Sequence, residues 1–168
     1  FAGPHLANLL HARGHEVYGL IRRTNGMESD IRDVVPDDVY EDITFVYGEL
    51  TNYRSLVTIF KDTQFDGVFH LAAQSHPPTS FRDPIGTMDT NVMGSANLFQ
   101  VIQDFQDNCK VMFCSTSEVY GNVGSDGRKI RWDDTILPSN PYGASKAATD
   151  VYLQERFANG FMKGFITR

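Results

Sequence analysis

The stretch Lys110-Val-Met-Phe-Cys-Ser-Thr-Ser-Glu118 joins an apolar run to four polar residues. The apolar part, residues 110–114, is typical of a buried strand in a parallel sheet. Residues that directly follow such a strand lie at its carboxyl end, where open α/β sheets place their chemistry. We therefore expect Thr116 and Glu118 to face a functional crevice at this end of the strands.

Strand and helix patterns alternate along the rest of the chain. Strands are predicted at 16–22, 43–47, 67–71, 110–114 and 163–167, and helices at 1–13, 53–61, 87–105 and 142–159. This alternation indicates βαβ units with right-handed crossovers, and we predict an α/β fold of Rossmann type with a doubly wound parallel sheet. Residues 121–141 are the one long irregular stretch, and we expect an active-site loop there.

Both ends of the chain interrupt the alternating pattern. The first helix has no strand before it, and no element follows the strand at 163–167. In a dinucleotide-binding βαβ unit a glycine-rich turn joins the first strand to the first helix, and Gly3 would be its last glycine. We therefore expect residues 1–168 to form one partial NAD(P)-binding domain that lacks its first strand. A C-terminal substrate domain would also be missing.

Tyr142 and Lys146 form a Tyr-x-x-x-Lys pair within a predicted helix. The i,i+4 spacing places the ammonium beside the phenol. A nearby positive charge favours phenolate, which turns a tyrosine into a base near neutral pH. A surface helix pair explains the isolated motif equally well. Together with Thr116 and Glu118, however, the pair predicts a catalytic set of four residues.

The composition excludes several classes of function. A net charge of −6 without a large basic cluster argues against nucleic-acid binding. The two cysteines, Cys109 and Cys114, lack the spacing of a disulfide framework or a metal site. No apolar run is long enough to span a bilayer. We expect a cytoplasmic protein without metal, membrane or nucleic-acid partners.

The sequence resembles the extended short-chain dehydrogenase/reductases that act on nucleotide sugars, and among them the GDP-mannose 4,6-dehydratases. The resemblance covers nearly the whole chain. The motifs that carry it are Gly3 with Leu6, Arg22-Arg23-Thr24, Gly48-Glu49-Leu50-Thr51, His70-Leu71-Ala72-Ala73-Gln74-Ser75-His76, Asn91-Val92-Met93-Gly94, Ser115-Thr116-Ser117-Glu118-Val119-Tyr120-Gly121 and Asn140-Pro141-Tyr142-Gly143-Ala144-Ser145-Lys146.

This resemblance implies a bound nicotinamide cofactor. The residues that would hold it are Gly3, Arg22, Arg23, Glu49, Leu50, Leu71, Ala72, Ala73, Tyr142 and Lys146. Arg22 and Arg23 follow the second predicted strand, where the adenosine ribose is expected, and arginines suit a 2′-phosphate. We therefore predict NADP rather than NAD; the alternative is a solvated pair of arginines. Small Ala72 and Ala73 would let the backbone approach the cofactor, or would simply pack.

The resemblance also implies the conversion of GDP-mannose to GDP-4-keto-6-deoxymannose, which is the reaction of a lyase. Tyr142, as phenolate, would take the proton of the C4 hydroxyl while C4 loses a hydride to the cofactor. Lys146 would lower the Tyr142 pKa and bond the nicotinamide ribose. Thr116 would bond the same substrate oxygen as Tyr142, and Glu118 would remove the C5 proton before water leaves from C6. The implied substrate contacts are Ser75, Thr116, Ser117 and Glu118.

The sequence is also compatible with other functions. Glu118 favours elimination, because epimerases of the same fold usually carry small residues there. Glucose-type dehydratases usually have an aspartate where this chain has Ser117. The alternatives are an epimerase, a dehydratase of another nucleotide-linked hexose, and a catalytically silent NADP-binding regulatory protein.

Two further expectations follow from the resemblance. Asn91 resembles an asparagine that organises the active site, although a helix-surface amide is an open alternative. The full-length protein is expected to be a homodimer or homotetramer that pairs through the helices predicted at 87–105 and 142–159.

Overall fold

A computed structural model describes residues 1–22 and 29–168 of the chain. These residues form two compact units, Phe1–Glu49 and Leu50–Arg168. Every strand pair among the described residues is parallel, and helices separate consecutive strands. The predicted α/β fold with parallel strands is therefore confirmed.

The first unit contains a two-stranded parallel sheet. Its strands are β1 (Tyr18–Ile21) and β2 (Thr44–Tyr47). Its helices are α1 (Ala2–Ala12), α2 (Ser29–Arg32) and α3 (Asp37–Asp42). The core of the unit is a cluster of buried aliphatic side chains, namely Val17, Val35, Val39 and Ile43. Leu10 of α1 packs against this cluster and so covers it from the helix side.

The second unit contains a three-stranded parallel sheet in the order β3-β4-β5. The strands are β3 (Gly67–His70), β4 (Lys110–Cys114) and β5 (Lys163–Thr167). The helices are α4 (Tyr53–Asp62), α5 (Pro77–Arg82), α6 (Pro84–Met88), α7 (Gly94–Phe105) and α8 (Pro141–Ala158). A 3₁₀ turn at Ser117–Tyr120 directly follows the polar residues after β4. The predicted strands and the helices α1, α4 and α8 agree with these bounds to within two residues.

The core of the second unit surrounds the central strand β4. Val111 and Phe113 of this strand are almost completely buried and alternate with more exposed neighbours. Leu56 of α4, Phe99 of α7 and Leu153 of α8 belong to the same buried cluster. Burial of large apolar side chains from three helices fixes these helices around the strand.

The long helix predicted at 87–105 is present, but its hydrogen-bond pattern changes midway. It consists of α6, a π-helical turn at Asp89–Met93 and α7. The π turn contains Asn91, which is 1% exposed. The buried polar side chain requires hydrogen-bond partners, and a local bulge of the helix is a common way to place such a group.

Proline positions explain the short helices that the sequence pattern missed. Pro77 and Pro84 stand in the first turn of α5 and α6, where a missing N–H costs nothing. The Asp83 carboxylate caps α6 by accepting a hydrogen bond from the Gly86 N–H at 2.9 Å. Across residues 1–22 and 29–168, no helix combines the length and apolar character needed to cross a membrane.

Candidate active site

Tyr142 and Lys146 lie one turn apart on α8, which begins at Pro141. Asn140 caps this helix, because its side-chain oxygen accepts a hydrogen bond from the Gly143 N–H at 2.7 Å. Lys146 is only 3% exposed, and its Nζ lies 4.4 Å from the centre of the Phe113 ring of β4. Tyr142 and Lys146 are therefore not a surface pair, because the Lys146 ammonium is buried against Phe113 of the central strand.

Burial governs the charge of Lys146. Removal from water disfavours the cation and lowers the pKa of Lys146 from 10.5 to about 8, although Cys114 and Asp150 act in the opposite direction. Among the described residues, no carboxylate lies within ion-pair distance of its ammonium. The ammonium is thus a buried donor that is available to an oxygen of a bound ligand.

Tyr142 is half-buried on the same helix. Burial raises the pKa of Tyr142 above its ordinary value, the Thr116 hydroxyl lowers it, and Cys114 and Glu118 raise it. The net shift is upward, because loss of hydration outweighs the effect of the Thr116 hydroxyl. Helical spacing indicates neighbouring charges but not the depth of burial, so the sequence alone does not predict this upward shift.

Thr116 and Glu118 lie in the turn that follows β4. Thr116 is the N-cap of the 3₁₀ turn, and its Oγ1 accepts a hydrogen bond from the Glu118 N–H at 3.3 Å. The Glu118 Oε2 accepts a hydrogen bond from the Asn140 Nδ2 at 2.6 Å. Both Thr116 and Glu118 also act on the pKa of Tyr142. The structure thus brings Thr116, Glu118 and Tyr142 together, with Lys146 one helical turn away.

Asn91 connects two segments that border these residues. Its Oδ1 accepts from the Gln74 N–H at 2.7 Å, and its Nδ2 donates to the Gln74 carbonyl at 3.0 Å. The same Nδ2 donates to the Ser145 Oγ at 2.8 Å. Asn91 is therefore not a helix-surface amide, because it ties the segment after β3 to α8.

The remaining predicted residues differ in their exposure. In the second unit, Ala72, Ser75 and Ser117 are exposed, Leu71 and Ala73 are half-buried, and Leu50 is buried. In the first unit, Gly3 and Arg22 are exposed and Glu49 is half-buried. Arg23 lies outside the described residues. Burial of the Leu50 side chain leaves only its backbone for a ligand, and its carbonyl already accepts a hydrogen bond from the Asn97 Nδ2.

The sequence pattern assigned no role to Asn140 or Ser145. An asparagine directly before the proline of a predicted helix start is nevertheless a recognisable N-cap signal. No comparable signal exists for Ser145, because its partner Asn91 is 54 residues away in the chain. Its place in the site is set by tertiary packing.

Two hydroxyls, a carboxylate and a buried ammonium therefore form the candidate site of the second unit. The Tyr142 and Thr116 hydroxyls are suited to bonding one oxygen of a substrate. Glu118 is suited to accepting a proton, and Lys146 to holding a sugar hydroxyl. These residues fit the ribose of a nicotinamide cofactor. The Lys146 ammonium is buried and has no carboxylate partner among the described residues, so it can donate a hydrogen bond to a ribose hydroxyl.

Comparison with known proteins gives consistent matches. The model of the family described as GDP-mannose 4,6 dehydratase matches residues 1–158. The chain is 33% identical to a GDP-mannose 4,6-dehydratase of Sordaria araneosa, over 86% of this chain and 26% of that protein. It is 34% identical to the GDP-mannose 4,6-dehydratase of Vibrio cholerae, over 86% of this chain and 40% of that protein.

The fold is also similar to that of a solved structure, the UDP-glucose 4-epimerase of Thermus thermophilus in complex with NAD. The TM-score is 0.85 at 29% identity, and the match covers 100% of this chain and 51% of that one. The chain thus spans about half the length of this solved structure, and less than half the length of the curated relatives above.

The buried charge of Lys146 predicts a pH-dependent stability. Between pH 8 and 10.5 the unfolded state holds a proton that the folded state has released, so the contribution of Lys146 to stability should rise with pH across this window. The Cys109 thiol opposes this contribution above pH 9, because burial raises its pKa to about 11. Lys146→Met should remove the Lys146 contribution, so that the slope of stability against pH is lower than in the wild type, and should increase the free energy of unfolding at pH 7 by on the order of 3 kcal/mol. Urea unfolding at several pH values, without cofactor, measures both effects.

Lys61→Met is the matched control, since Lys61 is an exposed lysine of α4. It should leave the slope between pH 8 and 10.5 unchanged. An equal slope in wild type and Lys146→Met would show that Lys146 is not a desolvated cation.

Proposed function

The chain belongs to the GDP-mannose 4,6-dehydratase family, and from this premise we propose that the protein containing it is a nucleotide-sugar 4,6-dehydratase. Family membership supports an enzyme of the dehydratase and epimerase kind. The proposed reaction is the conversion of GDP-mannose to GDP-4-keto-6-deoxymannose. The observation that carries the proposal is the Glu118 carboxylate, which is held in the same site as the Tyr142 and Thr116 hydroxyls.

A nicotinamide cofactor, when bound, would supply the acceptor that takes a hydride from C4 and later returns it to C6. Lys146 and Tyr142 are the proposed contacts to its ribose. The other proposed contacts are Gly3, Arg22, Arg23, Glu49, Leu50, Leu71, Ala72 and Ala73. The similar epimerase of Thermus thermophilus was solved in complex with NAD, which supports a cofactor of this kind.

Tyr142 and Thr116 would bind the C4 hydroxyl of the substrate. Tyr142 takes the proton of this hydroxyl, and the Thr116 hydroxyl forms a hydrogen bond to the same oxygen. Because burial raises the Tyr142 pKa, the phenolate needs positive charge nearby when substrate binds. Lys146 supplies one such charge, since a pKa of about 8 leaves it mainly protonated at neutral pH.

Glu118 would carry out the step that distinguishes a dehydratase from an epimerase. A carbonyl at C4 acidifies the C5–H bond, and the Glu118 carboxylate takes that proton. The electron pair of the C5–H bond forms a C5–C6 double bond, and the C6 hydroxyl departs. The proton on Glu118 goes to this leaving group, so water is released. C5 would regain a proton from solvent when C6 receives the hydride. Ser117 and Ser75 are the further proposed contacts to the substrate.

Glu118→Gln in the full-length protein should slow water loss strongly, because a neutral amide cannot accept the C5 proton. Incubation with GDP-mannose and NADP⁺, followed by mass analysis of the nucleotide sugar, should show loss of one water by the wild type. We expect the variant to be slower by roughly 100-fold or more. Glu41→Gln, at an exposed glutamate of α3, is the control and should keep the wild-type rate.

A second candidate function is epimerisation, which the similarity to UDP-glucose 4-epimerase favours. An epimerase would convert a nucleotide sugar to its epimer without loss of water and would not need Glu118. A wild-type rate of water loss by Glu118→Gln would therefore contradict the dehydratase proposal. An epimer as the sole product across a substrate panel would contradict it as well.

A catalytically silent NADP-binding regulatory protein is the third alternative. Such a protein would keep its function after Tyr142→Phe.

We also propose a cytoplasmic location and a homodimer or homotetramer for the full-length protein. The described Cys109 and Cys114 are free thiols, which suits a reducing compartment. Met93 of the π turn and Val151 of α8 are both more than half exposed. Apolar side chains of this size on long helical segments suit helix pairing between subunits.

We further propose NADP as the preferred cofactor, because Arg22 and Arg23 follow β1 and guanidinium groups bind phosphate strongly. Replacing both arginines by alanine should weaken NADP⁺ binding by roughly 10- to 100-fold. NAD⁺ binding should change little. Calorimetric titration of the full-length protein measures both affinities, with Arg13→Ala at the exposed end of α1 as the control. An equal loss for both cofactors would contradict a 2′-phosphate contact.

A further inference from the structure

Asn140 uses both ends of its side-chain amide. The Oδ1 accepts a hydrogen bond from the Gly143 N–H at 2.7 Å and so caps α8. The Nδ2 donates to the Glu118 Oε2 at 2.6 Å. One half-buried side chain therefore bonds both the helix that carries Tyr142 and the carboxylate in the turn after β4.

A helix cap alone does not require this amide. Serine, aspartate and asparagine all serve well as N-caps, because only a side-chain oxygen is needed. The additional N–H donor of asparagine is therefore free for another role. Here it forms a short hydrogen bond to a carboxylate, which is among the stronger and more directional contacts in proteins.

The backbone of the same helix turn also contacts the turn that carries Glu118. A Cβ on Gly143 would lie 2.8 Å from the Glu118 carbonyl oxygen and 3.2 Å from the Pro138 Cβ. On the other side, the Leu137 N–H donates to the Val119 carbonyl at 2.9 Å. The main chain around Glu118 is thus held independently of Asn140, which leaves only the carboxylate to be oriented.

We propose that Asn140 is a positioning residue that fixes the Glu118 carboxylate relative to Tyr142 and Lys146. The bond to Asn140 occupies Oε2. Among the described residues, the other oxygen, Oε1, has no hydrogen-bond partner and is the one available to accept a proton. This inference rests on the proposed function insofar as it concerns catalysis, whereas the contact itself can be tested without activity.

Three substitutions separate the two roles of Asn140. Asn140→Ser keeps a capping oxygen but is too short to reach Glu118. Asn140→Asp keeps the cap and places a second carboxylate against Glu118, which repels its negative charge. Asn140→Ala removes both the cap and the donor and should be the least stable of the three variants.

In the full-length protein, we expect Asn140→Ser to lower kcat for water loss by roughly 10- to 100-fold, since small displacements of a catalytic group have costs of this size. KM should change little, and the Tm should fall only by the loss of the contact with Glu118. Asn140→Asp should in addition move the acid limb of the pH–rate profile to higher pH, because like charges favour protonation. A merely structural cap would leave kcat unchanged in Asn140→Ser, because serine retains the capping oxygen.

A thermal-unfolding cycle tests the contact even if the protein has no dehydratase activity. Asn140→Ser should lower the Tm in the wild-type background but not in a Glu118→Ala background, where the partner carboxylate is absent. Equal Tm shifts in the two backgrounds would overturn the contact. An unchanged kcat in Asn140→Ser, in an active enzyme, would overturn the positioning role.

Discussion

The start of α8 is held against the turn that follows β4, and the candidate site depends on this contact. Only glycine fits at position 143, because the Glu118 carbonyl lies where a Cβ would project. The cap by Asn140 fixes the direction of the helix at the same point. One turn later, Ser145 bonds Asn91, which in turn holds the segment after β3. Residues distant in the chain are therefore fixed around one end of the central strand.

A second constraint is the buried ammonium of Lys146. A cation that is 3% exposed carries a desolvation cost. The nearest acidic residue along the helix, Asp150, does not offset it by an ion pair. Burial favours protonation of that carboxyl, but hydrogen bonds from Arg168 and Gln154 hold the pKa of Asp150 below its ordinary value. Asp150 is engaged by Arg168 at 2.8 and 2.9 Å, so Lys146 stays free to bind a ligand oxygen.

Much of the fold follows from the sequence, because strand and helix patterns are local properties. The strands at 110–114 and 163–167 agree with the observed bounds, and Thr116, Glu118, Tyr142 and Lys146 belong to one unit. What the sequence did not predict depends on tertiary structure. The π turn contains Asn91, which is buried and bonds Ser145 of α8, and the raised Tyr142 pKa results from burial. Neither burial is encoded by residue spacing.

The central claim is that this site eliminates water after a transient oxidation at C4. The most direct measurement uses GDP-mannose that carries deuterium at C4, incubated with the full-length protein and NADP⁺, and locates the label in the product by NMR. The account predicts that deuterium appears at C6 of a product that has lost one water. Deuterium that stays at C4 of an epimer would contradict it and would assign the site to epimerisation.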